Sequence, residues 1–508
     1  MKYKALAYGV AAASAISLTI VACGGSDDNV IDVSKGTVIS NATVVDTRDG
    51  SLIAGVAVVV DGGKIQRITT SPLKLSGTAR SIDGTGKFVI PGLLDMHTHS
   101  LDGADLPTPY WPLLIANGVT GVREMRGSPG LIQRARQLNA DSAAGRIDAP
   151  EVLLVPSVIF DGSTAASTNA AAAVQQVREQ KAQGTDFIKV TNANREASLA
   201  ILAEAKAQGL TVAGHLSPAM SAVESSNAGW RAIEHLGSGI GILLDCSTDE
   251  ASIRQALLSG QGGVTPPFPP TWSASALTAP FYQRTLNTYS ADKCQTVAKT
   301  FAANQTWHVP TLIRLRTQHF VTDQQYRTDP NLMYVDKTTR ATWEAAAVRF
   351  ESNIPASAAT TFRQYYAQQQ TMPKFLKQNG VKLLAGSDLS SISPWVVPGF
   401  SLHQEYRLLA ASGLSPLEIL QSTTLNGAEF LGRQATMGTV EEGKNADLVL
   451  LDGNPIQDVA NLDRISGVML KGKYFSKDAL DKMKSDVAAA QASQPARQLS
   501  LVEAVHAD

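Results

Sequence analysis

The sequence predicts an α/β fold, a (β/α)8 barrel carrying a small β-sandwich built from both ends of the chain. Three observations lead there. Short apolar runs alternate with helical stretches over roughly residues 88–430, the pattern of a parallel sheet with helical crossovers. β-Branched segments gather at both ends of the chain, and termini often lie close together in space. The length of 508 residues exceeds one ordinary domain but suits one large barrel with an accessory module. Periodicity alone does not separate a closed barrel from an open sheet.

Taken in order, the chain begins with Lys2 and Lys4, an apolar run from Ala5 to Ile20, and Ile20-Val21-Ala22-Cys23-Gly24. A basic start, a short apolar stretch and small residues describe an export signal, shorter than the roughly 20 residues of a membrane span. The four residues ending at Cys23 resemble a bacterial lipobox. That implies lipidation of Cys23 and anchoring at the bacterial cell envelope, on a periplasmic or outer-membrane face. An ordinary signal peptide with an incidental cysteine is the alternative. Residues 1–23 are therefore read as a lipoprotein signal and 24–35 as a flexible tether.

Residues 36–90 read as the N-terminal part of the sandwich. Gly36 to Asp46 and Val56 to Ile65 are β-branched runs, and Asp61-Gly62-Gly63 is a hairpin signal. The C-terminal part, 429–476, contributes Met437–Val440, Ala446–Leu451 and Gly467–Tyr474. Between them, residues 91–428 form the barrel. Its strand-like runs include Phe88–Asp95, Val152–Val155, Phe187–Val190, Thr211–Gly214, Ala232–His235, His308–Leu312 and Val381–Ala385. Helices are expected over 170–183, 196–208, 340–352, 358–379 and 415–421. Residues 477–508, rich in Ala, Gln, Lys and Asp, read as a solvated helix or a loose tail.

Hydrophobic residues make up 44% and charged residues 18%, a globular balance with material for a large core. A net charge of −1 removes the electrostatic case for nucleic acid and favours a small-molecule or short-peptide substrate. After Cys23 only Cys246 and Cys294 remain. In an oxidising compartment such a pair favours a disulfide, and it lacks the short spacing of a metal clip.

Five short pieces carry chemistry, each at the end of an expected strand, where a parallel barrel collects its reactive groups. In Asp95-Met96-His97-Thr98-His99, alternation points both histidines to one side. Lys189 lies inside the apolar run Phe187–Val190, costly to bury unless paired or modified. His215 and His235 each close an apolar run. Asp388 ends Leu384-Ala385-Gly386-Ser387-Asp388, placed to ligate, to act as a base or to cap a helix.

The order HxH, Lys, His, His, Asp on successive strand ends matches the metal site of the amidohydrolase superfamily. Pro91–His99 resembles its first-strand motif. Ser422–Ala428 resembles the segment that follows its last barrel strand, and Gly438–Val449 and Asp452-Gly453-Asn454-Pro455 resemble the return to the sandwich. The chain looks closest to imidazolonepropionase-like and Xaa-Pro dipeptidase-like enzymes. The resemblance implies a TIM barrel and two divalent ions, usually Zn2+. His97, His99 and Asp388 would bind one, His215 and His235 the other, with Lys189 bridging as a carbamate. A metal-bridging hydroxide would attack an amide, lactam or peptide C–N bond, and Asp388 would shuttle the proton.

Two departures stand out. The second-strand segment Gly118–Glu124 ends in Arg123-Glu124 where relatives usually carry Arg-Asp. Ile159–Ser163 stands where many have Gly-Gly-His. His308, His403 and Glu405 are weighed as substrate-side residues against packing or solvated roles. Pro266–Pro270 reads as a stiff loop over the barrel mouth, and His319 and His506 carry no motif. Two rival functions stay open: a phosphotriester or lactone hydrolase on the same site, and a catalytically weak, surface-anchored binding lipoprotein.

Overall fold

A computed structural model describes residues 30–101, 110–260 and 276–493. The signal segment, Cys23, residues 24–29 of the tether, Pro266–Pro270 and His506 lie outside the described residues.

The central architecture is mixed α/β. Strands Leu93–Thr98, Val119–Glu124 and Glu151–Leu154 pair in parallel in that order. Phe160–Asp161, Ile188–Asn192, Val212–Gly214, Trp230–Glu234 and Trp307–Val309 make a second parallel sheet. The run around 382–389 links the two: His308 bridges Leu383 and Thr98 bridges Leu389, both in parallel. Met96 N donates to Ala385 O at 2.9 Å, and Leu384 N donates to His308 O at 2.9 Å. On the far side, Asp186 N donates to Val155 O at 3.1 Å. Leu94, Met96, Phe187, Ala213, Ala232, Trp307, Val309 and Leu384 fill one inner core.

Helices cover the strands, and their starts are written locally. Asn169 and Asn194 accept from the third backbone N–H of helices Ala170–Ala182 and Arg195–Ala207. Ser415 and Glu418 form a reciprocal capping box at Pro416–Ser422. Each such cap is worth about 1 kcal/mol. Helices Lys337–Asn353 and Ala356–Gln378 fall where the sequence places them. Cys246 and Cys294 are joined by a disulfide, tying the end of Ile242–Asp245 to helix Ala291–Ala303.

Both chain ends do meet, but in one sheet rather than two clearly separate layers. Its strands run Lys473–Ser476, Ile465–Leu470, Leu448–Leu451, Phe88–Pro91, Thr37–Val45, Leu52–Asp61 and Lys64–Thr69, with Arg80–Asp83 also paired to Thr37–Val45. Asp61-Gly62-Gly63 makes the turn of the hairpin between Leu52–Asp61 and Lys64–Thr69. Ile39, Val58 and Val60 face one core with Leu448 and Leu450. Val38, Ala57 and Val59 face the other way, under the small parallel pair Ile31–Val33 and Leu73–Leu75. Val449 and Leu451, alternating with Leu448 and Leu450, join the main core instead.

One expectation is corrected. Met437–Val440 is irregular rather than strand, and Gly438 within it has φ +93°. After 476 the described residues form the helix that was one of the two expectations, Lys477–Ser493, and it buries Leu480 and Val487. These lie seven residues apart on one face, an apolar stripe too narrow to show in composition. Among the described residues no helix is long and apolar enough to cross a membrane.

Candidate metal centre

His97, His99 and Asp388 converge. One ligand atom from each lies within 4.8 Å of the others. Asp388 Oδ1 is 3.1 Å from His97 Nε2 and 3.3 Å from His99 Nε2. Backbone pairing sets this up, since Asp388 N donates to His97 O at 2.9 Å. Gly386 allows the approach: a Cβ there would sit 2.9 Å from the His97 Cβ. Asp388 itself has φ +57°, a strained left-handed conformation of the kind that gathers at functional sites.

The histidine tautomers follow from their outer partners. Glu234 Oε2 lies 2.7 Å from His97 Nδ1, so that nitrogen donates and Nε2 keeps its lone pair. Glu234 in turn accepts from Arg123 Nη2 at 2.7 Å, and Arg123 Nε donates to Met96 O at 2.6 Å. Burial would raise the Glu234 carboxyl, but Arg123 and His97 outweigh it and hold it down at about 2. His235 Nδ1 lies 2.5 Å from Thr311 Oγ1, which itself donates to Pro310 O. His235 therefore donates through Nδ1 and leaves Nε2 free of its proton.

His235 stands beside His97 with ring centroids 4.3 Å apart, and His215 lies 5.0 Å from His235. Burial lowers His97 and pushes His215 and His235 well below the usual imidazole range, so all three are neutral near pH 7. Gly214 positions His215: a Cβ at this residue would lie 1.7 Å from Val190 O, so only glycine brings the two strands this close. Lys189 is buried, and burial lowers its ammonium to about 8 although Glu234 and Asp388 pull it back up.

Asp388 is also braced from its second oxygen. Arg314 Nε lies 2.5 Å from Oδ2, and Ser393 Oγ donates to it at 3.1 Å. Burial would raise Asp388, yet His235 and His97 hold it well below the usual carboxylate range. Asp95 supports the same turn, accepting from Ser387 N at 3.0 Å and Ser387 Oγ at 2.5 Å.

These contacts test whether a metal fits. His97 Nε2 is buried without a hydrogen bond, although a carboxylate oxygen stands 3.1 Å away. A neutral imidazole lone pair facing an anionic oxygen is unfavourable unless a cation sits between them. The donor set fits a divalent ion.

Three residues weighed as substrate-side take packing or structural roles. His308 faces outward: Trp307 and Val309 take the inner core, and strand alternation turns His308 onto Phe301, ring centroids 4.7 Å apart. His403 is bound between Asp463 Oδ1, 2.8 Å from its Nδ1, and Asn117 O, 2.9 Å from its Nε2. Glu405 Oε2 accepts from Ile313 N at 2.7 Å, capping helix Leu312–His319 rather than reaching substrate. Glu124 closes the loop after His99, accepting from Leu101 N at 2.9 Å and Arg126 N at 3.0 Å. Asp161 closes its own turn by accepting from Ser163 N at 2.9 Å. His319 is buried near Phe362 and Tyr366.

Glu234, Thr311 and Arg314 were not singled out from sequence. Glu234 left a signal: a carboxylate inside the apolar run before His235, which burial makes costly unless it is paired.

The family model described as the amidohydrolase family matches residues 338–474. An imidazolonepropionase of Thermoplasma volcanium is 23% identical over 432 residues, covering 84% of this chain and 91% of its own. Among solved structures, a bottromycin amidohydrolase superposes with a TM-score of 0.67 at 20% identity, covering 89% of this chain and 90% of its own. A Xaa-Pro dipeptidase with methionine bound in its active site gives 0.60 at 18% identity, covering 87% and 100%.

Proposed function

From the premise that this chain belongs to the amidohydrolase superfamily, we propose that it hydrolyses an amide, lactam or peptide C–N bond at a binuclear metal centre within a closed (β/α)8 barrel. The observation that carries the reading is the buried, unpartnered His97 Nε2 opposite Asp388 Oδ1. A three-stranded and a five-stranded parallel sheet, with the run 382–389 between Leu93–Thr98 and Trp307–Val309, support the barrel. The sheet of both chain ends stands where the sandwich was expected, and likeness to a dipeptidase supports short peptides as substrates.

His97, His99 and Asp388 would hold one ion, and His215 and His235 the other, with Lys189 between them as a carbamate. An amine lowered to about 8 is partly neutral at physiological pH, the form that takes up carbon dioxide. Once bound, two divalent ions, Zn2+ by family habit, supply Lewis acidity and lower the pKa of water to near neutrality. Asp388 takes a proton from the attacking water and delivers it to the leaving nitrogen. The C–N bond breaks, the acyl carbon gains the hydroxyl, and the nitrogen gains the hydrogen. Glu234 and Thr311 keep His97 and His235 in the tautomer that presents Nε2. For location, the segment ending at Cys23 supports export and lipid anchoring at the cell envelope.

The test is elemental analysis of the chain purified from residue 24 onward, without added metal, followed by assay against dipeptides, lactams and N-acyl amino acids. About two ions per chain and turnover of one of these classes are expected. No metal, and none taken up on reconstitution, would turn the reading to a binding protein.

A further inference from the structure

His215 and His235 each stand at the start of a loop, and the two loops are tied together, Leu216 N donating to Gly237 O at 3.0 Å. The second loop has an uncommon backbone. His235, Leu236 and Ser238 have φ of +53°, +52° and +62°, and Gly237, Gly239 and Gly241 are left-handed as well. Residues with a side chain rarely adopt this conformation, and it persists only where the surroundings impose it. Thr311 fixes the His235 ring, and Tyr365 Oη donates to Ile240 O at 2.5 Å.

A further hold lies at the far end of the loop. Ile242–Asp245 is a single helical turn that ends at Cys246, and Cys246 is bonded to Cys294 on helix Ala291–Ala303. That helix leads into strand Trp307–Val309 and then to Thr311, the partner of His235 Nδ1. The disulfide therefore closes a ring that starts and ends at His235. The same corner reaches the other loop. Asp245 Oδ1 accepts from Ala222 N at 2.6 Å. Arg254, 3.4 Å from Asp245, donates through Nη1 to Pro218 O and Met220 O, both at 2.8 Å. The ring includes no residue of Leu93–His99 or of the run 382–389, which carry the other three converging ligands.

We propose that the Cys246–Cys294 disulfide is the covalent clamp that positions His215 and His235, and that ion uptake on their side of the site depends on oxidation of the two cysteines. The clause on ions rests on the binuclear reading above, whereas the clamp itself does not. Closing the bond takes an oxidant of the small-molecule disulfide class. Two electrons and two protons pass from the cysteine thiols to it, one S–S bond forms in the chain, and the small disulfide leaves as two thiols.

The test compares three forms of the chain purified from residue 24 onward. One is oxidised. One is made in a reducing cytoplasm and kept under a phosphine, with two free thiols counted. The third is the double variant Cys246→Ala, Cys294→Ala. Hydrogen exchange of the metal-free forms is read first. Exchange in 215–222 and 235–246 is expected to be about tenfold faster in the reduced and alanine forms, with 93–99 and 383–389 changed less than about threefold. Oxidised glutathione should restore protection in the reduced chain and leave the double variant unchanged. After anaerobic removal of the phosphine, Zn2+ is titrated in competition with a chelator. Two ions are expected per oxidised chain, one of them bound about tenfold more weakly in the other two forms.

Protection that survives reduction in either loop overturns the proposal, and so does acceleration spread evenly over all four segments. Loosened loops with both ions held as tightly as before overturn it too. If the alanine variant fails to fold, the reduced wild-type chain decides alone. Should that form also unfold, the bond holds the fold rather than the two loops, and the proposal falls. An oxidised chain that binds fewer than two ions, with both loops still released by reduction, sinks the binuclear reading and leaves the clamp standing.

Discussion

The two halves of the site are built differently. On one side, His97, His99 and Asp388 already meet, and each support has its own support: Glu234 behind His97, Arg123 behind Glu234, Ser393 and Arg314 behind Asp388. On the other side, His215 and His235 stand 5.0 Å apart by ring centroid, with Thr311 bracing only one of them. The third member proposed for that side, Lys189, is a buried amine that carries no negative charge of its own. The first half is preorganised by carboxylates, whereas the second, as proposed, would be completed only by an anion made on Lys189. Preorganisation costs buried charge, and only the half with enough counter-charges has it.

Breaking the proposed proton carrier of the first half should have the largest effect. Asp388→Asn is expected to lower turnover by about 10²–10⁴-fold while metal remains bound, read as kcat beside elemental analysis. Unchanged turnover would remove Asp388 from proton transfer. The next pair of variants separates the halves. Lys189→Ala should lose metal and regain part of its activity with added short carboxylic acids, which replace the missing anion. Glu234→Gln should weaken metal affinity by about 10–100-fold with no such rescue, because it disturbs orientation rather than charge supply. Full metal occupancy in Lys189→Ala would refute the bridging carbamate.

The smallest effect concerns stability. Burial lowers His308 to about 3, so on acidification the unfolded chain takes up a proton that the folded chain refuses. The stability it contributes is present above the unfolded value of 6.5 and is lost as pH falls towards 3, by about 2 kcal/mol at pH 5. Melting temperature should therefore drop less between pH 7 and pH 5 in His308→Leu than in the wild type. Parallel curves would argue against a neutral His308.

What the sequence made legible follows from how each signal is encoded. His97, His99, Lys189, His215, His235 and Asp388 sit at the ends of apolar runs, and their order carries more information than any one of them. Helices Ala170–Ala182 and Arg195–Ala207 were readable because their asparagine caps and apolar spacing are local. Sequence leaves His308 between pocket and packing because the phase of a three-residue strand is set by its neighbours, not by its own alternation. His403 and Glu405 share the helix Phe400–Ala411, and only tertiary packing turned one towards Asp463 and the other towards Ile313. Arg314 left no trace at all, since its partner Asp388 is remote in sequence and nothing local marks the pairing.

Strand Phe88–Pro91 pairs with Leu448–Leu451 on one side and with Thr37–Val45 on the other. During synthesis, the N-terminal strands must therefore stand with a bare edge until nearly the whole chain has been made. Such an edge is an invitation to other strands, and the long wait lengthens the exposure. A chain stopped near residue 440 would keep every residue proposed to bind metal yet present that edge permanently. Its first failure would be aggregation, before any defect in chemistry could be observed.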